Sequence, residues 1–269
     1  MNPIGGFFEL ETSSKCSPYH CTGNLISLNT GRASLNYILR QIHPRKLYLP
    51  FYICDSMVSA VQANNIDIQY YPLDKNLDPV IDFSVDGNEC IIYVNYFGLK
   101  TVTVKNLIRK FGSSVIVDNV QAFFEKNYED VWSFNSVRKW FGVPDGSYIY
   151  SPEKVHIPQG SNNLLPYDHL IERAVGNLQR AFRLYQKYEK SLDNSIKSMS
   201  GFTEILLQAV DYDGVRRKRR NNFRTYDKRL NSINQLSLSM SGDAVPFCYP
   251  FLPKKHIDRK KLFKKNIFI

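Results

Sequence analysis

Long apolar runs are missing from this 269-residue chain, and no segment reaches the ~20 apolar residues that a bilayer-crossing helix requires. The N-terminal MNPIGGFFELE carries acids where a secretion signal would carry a basic region followed by an apolar stretch. Cysteine is scarce and unpatterned. Cys16, Cys21, Cys54, Cys90 and Cys248 are odd in number and include no C-x-x-C pair, so neither a disulfide framework nor a zinc site is indicated. No repeat at a solenoid period and no low-complexity tract is present. These absences lead to the expectation of a cytoplasmic protein without a membrane partner.

Apolar content is 43%, and 13 prolines are spread along the chain, which together argue for an ordered globule. The length suits one large α/β domain, or one domain with a smaller appendage, burying about 75% of its unfolded surface. The net charge of +10 is uneven. RRKRR at Arg216 to Arg220 and KKHIDRKKLFKK from Lys254 to Lys265 carry much of it. Nucleic acid, a membrane surface, an anionic small substrate, a subunit interface or a solvated helix face would each account for such runs. No aromatic-interleaved motif accompanies them, so the solvated face is the default reading and no nucleic-acid partner is expected.

Hydrophobic periodicity gives a β-α-β order. LISLNTGRASLNYILRQI reads as a short strand, a turn at Asn29 to Gly31 capped by Thr30 or Asn29, and a helix with Leu35, Ile38, Leu39 and Ile42 at helical spacing. KLYLP is a buried strand, ICDSMVSAVQANN a helix and IDIQYYPL a strand. CIIYVNYFG, VTVKNLIRKFG and SVIVD continue as strand, helix and strand. Such alternation implies a mainly parallel sheet flanked by helices on both faces. In such sheets ligands gather beyond the carboxyl ends of the strands, where Asn95, Tyr96 and Asp118 fall. From Leu164 to about Lys197, and again from Glu204 to about Ile233, the pattern predicts long amphipathic helices. The terminal VPFCYPFLPKKHIDRKKLFKKNIFI predicts a strand, a proline-bounded turn, a basic helix and the start of another strand.

Three places hold groups suited to chemistry. Thr30-Gly31-Arg32 opens a helix, where free N–H groups and the helix dipole favour an anion such as phosphate, although a plain turn needs the same glycine. Asp118, with Gln121 three residues on, closes a buried strand; an aspartate there is also a common N-cap. Ser136-Val137-Arg138-Lys139 puts a hydroxyl and an amine on neighbouring positions of a turn, flanked by Trp140 and Phe141. Partial burial there would lower the lysine's pKa. A carboxylate for a pyridinium nitrogen and a lysine for an imine are what a pyridoxal phosphate (PLP) enzyme must supply.

In order, the blocks IGGFFELE, LNTGRASLNYIL, YLPFYICDSM, YVNYFG, VDNVQAFF and SFNSVRKWFGVPDGSYIY resemble the DegT-type nucleotide-sugar aminotransferases, a PLP-dependent family of the aspartate-aminotransferase fold. The resemblance covers residues 4 to 150 and continues more weakly through RRKRRNNF to CYPFL. It implies the type I PLP-dependent transferase fold. The large PLP-binding domain would span residues 1–235, and 236–269 would begin a small C-terminal domain, incomplete at this length.

Carried onto this sequence, the resemblance makes Lys139 the Schiff-base lysine and Asp118 the partner of the pyridine nitrogen. Gln121 lies near the cofactor's 3-hydroxyl, Tyr52 stacks on its ring, and Asn95 lies at a strand end beside it. Thr30, Gly31 and Arg32 hold the phosphate. The family's serine five residues before the lysine is Phe134 here, which leaves Ser136 or Ser133 to supply the phosphate hydroxyl. Pro144-Asp145-Gly146-Ser147 replaces the family's glycine-rich run, and Cys54 stands where an aromatic residue is frequent.

The implied activity is transfer of an amino group, by family habit from L-glutamate, to a nucleotide-linked keto-sugar for surface polysaccharide or amino-sugar synthesis. A homodimer is implied, with Asn221 or Asn222 entering the neighbouring site. Two alternatives were weighed. The family's sugar dehydratases carry histidine in place of the lysine, which Lys139 argues against. A non-catalytic basic binding or scaffold protein on the same fold would account for the basic runs and the altered lysine flank.

Overall fold

The computed structural model describes residues 17–155, 166–254 and 258–263. Seven strands, β1 (Asn24–Leu28), β2 (Lys46–Pro50), β3 (Asp67–Tyr71), β4 (Glu89–Val94), β5 (Val115–Asp118), β6 (Trp132–Phe134) and β7 (Ser147–Ser151), form one sheet in the order β1-β7-β6-β5-β4-β2-β3. β7 pairs antiparallel with both neighbours, Leu28 facing Ser147 and Phe134 facing Ile149. The pairs among β2 to β6 are parallel, as in Val94 opposite Asp118 and Asp118 opposite Phe134. The sheet is therefore mixed but mainly parallel. This is the mainly parallel, helix-flanked sheet expected from the sequence.

Helices cover both faces because the inner strands are apolar on both sides. In β4 and β5, Cys90, Ile92 and Ile116 face a layer containing Leu35, Ile38 and Leu39 of α1 (Gly31–Ile42) and Met57, Ala60 and Val61 of α2 (Asp55–Gln62). Ile91, Tyr93, Val115 and Val117 face Val104 and Leu107 of α3 (Thr101–Phe111). The alternation is the two-residue period of a pleated strand. Thr30 starts α1 by accepting from the Ala33 N–H at 3.0 Å, and Gly112 ends α3 at φ 57°.

Three expectations need correction. The long helix after residue 164 is two helices, α4 (Asp168–Ala174) and α5 (Leu178–Ser191), divided where Gly176 takes φ 89°. The second is likewise α6 (Gly201–Gln208) and α7 (Tyr212–Leu230), because the Asp211 carboxylate accepts from Gly214 N–H at 2.8 Å and starts a new helix. Finally, VPFCYPFL forms no strand. Its prolines, Pro246 and Pro250, lack the N–H a ladder needs, and single bonds such as Arg219 to the Phe247 carbonyl (2.6 Å) hold it instead. The basic stretch forms a short α8 (Arg259–Phe263); IGGFFELE and the last six residues lie outside the described residues.

Past β4 the chain turns tightly, with Phe97 at φ 57° and Gly98 at φ 69°. A Cβ on Gly98 would stand 2.7 Å from the Val245 carbonyl and 2.9 Å from that of Gln121. Replacing Gly98 by Ala is expected to cost at least about 2 kcal/mol in urea unfolding, since backbone must move, whereas Gly87→Ala, with open space around it, should stay within about 0.5 kcal/mol.

Candidate active site

The carboxyl ends of the parallel strands meet at one edge of the sheet, and two adjoining cavities lie there. The first, about 150 Å³, is lined by Thr30, Gly31 and Arg32 at the start of α1, by Ser136, Arg138 and Lys139, and by Tyr185, Glu189 and Leu192 from α5 and its end. The second, about 190 Å³, is lined by Tyr52, Val94, Tyr96, Asp118, Gln121 and Lys139. Cys54, Val120 and Lys139 border both. Lys139 thus stands between a helix N-terminus and a buried carboxylate.

At the first cavity, the Thr30 hydroxyl is occupied as the N-cap of α1. The Gly31 and Arg32 N–H groups precede the first intrahelical bond and have no acceptor among the described residues. Arg32 sends its guanidinium to the Leu192 carbonyl at 2.6 Å, while Asn36 holds the Asn194 carbonyl at 2.6 Å. Those two bonds lace the chain after α5 onto α1. Ser136 is buried, and its hydroxyl makes no hydrogen bond among the described residues. Ser133, the other hydroxyl considered, lies inside β6 and borders neither cavity.

Asp118 is only 1% exposed. Its Oδ1 accepts from the Val120 N–H at 2.8 Å, and its Oδ2 has no donor among the described residues. Burial lifts this carboxyl from the ordinary range to about 6, opposed by the Val120 N–H and the Lys139 charge. Gln121 gives its Oε1 to the Phe97 N–H at 2.9 Å, and its amide nitrogen has no acceptor among the described residues. Tyr52 is exposed, with its ring 5.6 Å from that of Tyr96 and tilted only 17°.

The Lys139 turn, Val137–Lys139, follows β6 and is tied to the Asp118 turn by Trp140, whose indole N–H donates to the Val120 carbonyl at 3.1 Å. Asp145, six residues on, is fully buried and accepts from the Ser200 N–H (2.9 Å) and hydroxyl (2.7 Å) and from the Thr203 hydroxyl. That departure from the family's glycine run anchors the start of α6.

Two expectations change. Lys139 is exposed, not partly buried, because the turn projects it over the cavities. Asn95 borders neither cavity: its Oδ1 accepts from Lys100 N–H at 2.9 Å and its amide donates to Thr101 at 3.1 Å, so it closes the turn after β4.

Sequence reasoning missed the cavity wall formed by Tyr185 and Glu189, with Arg138 ion-paired to Glu189 and stacked 5.0 Å over Tyr188. It also missed His20, which is buried. His20 Nε2–H donates to the Phe123 carbonyl at 2.8 Å, so Nδ1 accepts from the Tyr150 hydroxyl at 2.5 Å. Burial depresses its pKa to about 4.

No protein-family model and no curated protein matches this sequence. Solved structures do match its shape. A sugar aminotransferase, CalS13 of Micromonospora echinospora, superposes with a TM-score of 0.54 at 17% identity, over 90% of this chain and 70% of that one. A DegT/DnrJ/EryC1/StrS aminotransferase of Brucella abortus gives 0.55 at 13% identity, over 84% and 64%. DesV of S. venezuelae, solved with a ketimine intermediate, gives 0.55 at 15%, over 87% and 64%. The chain has the fold of the DegT-type aminotransferases. It spans about two thirds of the length of these structures.

Among the described residues, no three His, Cys, Asp or Glu side chains gather to hold a metal ion, and no helix is long and apolar enough to cross a membrane.

The Asp118 carboxyl is raised from its unfolded value of 3.8, so the stability conferred by its protonated form is full below pH ~4 and lost as pH rises through about 6. His20 acts oppositely, losing stability as pH falls from 6.5 toward 4. Asp118→Asn keeps the Val120 acceptor and removes only the first effect. In urea unfolding it should exceed the unsubstituted protein by up to about 3 kcal/mol at pH 8, with the difference vanishing near pH 4.

Proposed function

We propose that this chain binds PLP and serves an aminotransferase that transfers an amino group, from L-glutamate, to a keto-sugar carried on a nucleotide. The observation that carries this reading is Asp118: a buried carboxylate with one oxygen satisfied by the chain and the other free toward a cavity that Lys139 also borders. A ring N–H at Oδ2 would supply both the missing donor and a compensating charge.

The other residues fit the same group. The Gly31 and Arg32 N–H groups and the Ser136 hydroxyl suit a phosphate, aided by the positive end of α1. The free amide of Gln121 suits the ring oxygen, and Tyr52 forms the side wall. Lys139, which borders both cavities, would hold the cofactor covalently through Nζ.

Bound PLP withdraws electrons from the α-carbon of an amino acid, so that its proton can leave and its nitrogen can be passed on. Lys139 Nζ takes that proton and returns it, a role its exposed amine at the junction of both cavities permits. Asp118 is ionised above pH ~6 and would keep the ring nitrogen protonated. Tyr185 and Glu189 of α5 wall the phosphate side.

We place the cofactor-binding domain at residues 1–235 and a separate small unit at 236–269. We also read the protein as a cytoplasmic homodimer in polysaccharide or amino-sugar synthesis. Support for the dimer comes from apolar side chains left exposed along α4 and α5, among them Ile171, Val175, Leu178 and Phe182.

Protein supplied with PLP should develop a visible absorbance band, and borohydride should fix a mass adduct on the Lys139 peptide. Lys139→Ala should lose the adduct and, with a donor and acceptor pair, about 10²- to 10⁴-fold in turnover. An adduct that maps to another lysine would overturn the assignment.

A further inference from the structure

The turn after β4 touches two opposite walls of the second cavity. Phe97 holds Gln121 through its N–H. Tyr96, one residue earlier, is 1% exposed and donates its hydroxyl hydrogen to the Tyr52 carbonyl at 2.7 Å. Its ring runs nearly parallel to that of Tyr52, and its other side is braced edge-on by Tyr93 at 5.7 Å. Tyr52 itself is 59% exposed and follows Pro50 and Phe51 on the way to α2. Left to itself, so exposed an aromatic side chain would sample several rotamers. From one buried residue, a hydrogen bond holds the Tyr52 backbone and a ring contact limits the Tyr52 side chain.

We infer that Tyr96 is a positioning residue that fixes Tyr52 as the side wall of the cofactor cavity, by its O–H on the Tyr52 carbonyl and its ring against the Tyr52 ring. The inference rests on the proposed PLP site. It assigns a role to a hydroxyl that touches no reacting atom: preorganising a surface against which a flat ring is placed. The turn keeps its left-handed Phe97 because both ends of that residue are engaged, its N–H by Gln121 and its carbonyl by Phe247 N–H at 2.7 Å. Tyr52 and Gln121 are therefore spaced by one rigid element.

Tyr96→Phe, Tyr52→Ala and the double variant test this by PLP titration, reading the dissociation constant and the circular dichroism induced in the cofactor's visible band. Tyr96→Phe should weaken PLP about fivefold and reduce the induced signal, while leaving the thermal midpoint of the cofactor-free protein close to the original. In the Tyr52→Ala background the same change should add no further weakening, because the wall it positions is gone. Unchanged affinity and dichroism in Tyr96→Phe would overturn the inference alone, and so would a fivefold loss that persists in the Tyr52→Ala background. Wild-type protein that binds no PLP at all would overturn the cofactor site and this inference together.

Discussion

A carboxylate kept out of water at the end of a central strand is the constraint on which this structure turns. Asp118 is flanked by β4 and β6 and lies under the cavity, so its charge is not solvated as a surface aspartate's would be. One N–H, from Val120, and the field of Lys139 offset part of the cost, and the carboxyl remains raised to about 6. A hydrophobic side chain of similar volume would remove that cost. A positive group placed at Oδ2 would offset the same cost.

The walls around Asp118 are tied to one another more than to the helices. Trp140 carries the Lys139 turn to the Val120 carbonyl, Gln121 is held by Phe97, and Gly98 packs against the Gln121 carbonyl with no room for a side chain. The turns after β4, β5 and β6 therefore form one connected unit over the strand ends. Helix α1 enters from the other side, its position fixed by Thr30 at its start and by Arg32 and Asn36 along its length. The first cavity is the seam between the unit and the helix.

Much of this was legible in the chain. Strands β2, β4 and β5 and helices α1 and α3 announce themselves because each is an apolar run bounded by a cap, a proline or a glycine. Strands β6 and β7 did not. β6 is three residues long, and the place of β7 depends on pairing with β1 more than a hundred residues earlier, which no local pattern encodes. The helix breaks at Gly176 and Asp211 were written in single residues that periodicity overrides. At the site, the order of Thr30, Asp118, Gln121, Ser136 and Lys139 along the chain foretold that one edge would collect them. Asn95 belonged to the same edge by position, yet its side chain is consumed in closing a turn, a distinction that only hydrogen-bond partners reveal. The Tyr185 and Glu189 wall came from a helix whose amphipathic face pointed to packing but not to a partner.

The raised carboxyl also bears on how ligand binding and stability are connected. Anything that brings positive charge to Asp118 Oδ2 favours the ionised form and pulls its pKa back down. By linkage, the ligand then binds more tightly above pH ~6, where the carboxylate already exists, and stabilises the fold most where the empty site is least stable. His20 has the opposite sign, since its neutral ring, bonded to the Phe123 carbonyl and packed edge-on against Phe123, supports that residue only while the pH stays above the range in which it would gain a proton. An ionised Asp118 and a neutral His20 therefore coexist above pH ~6.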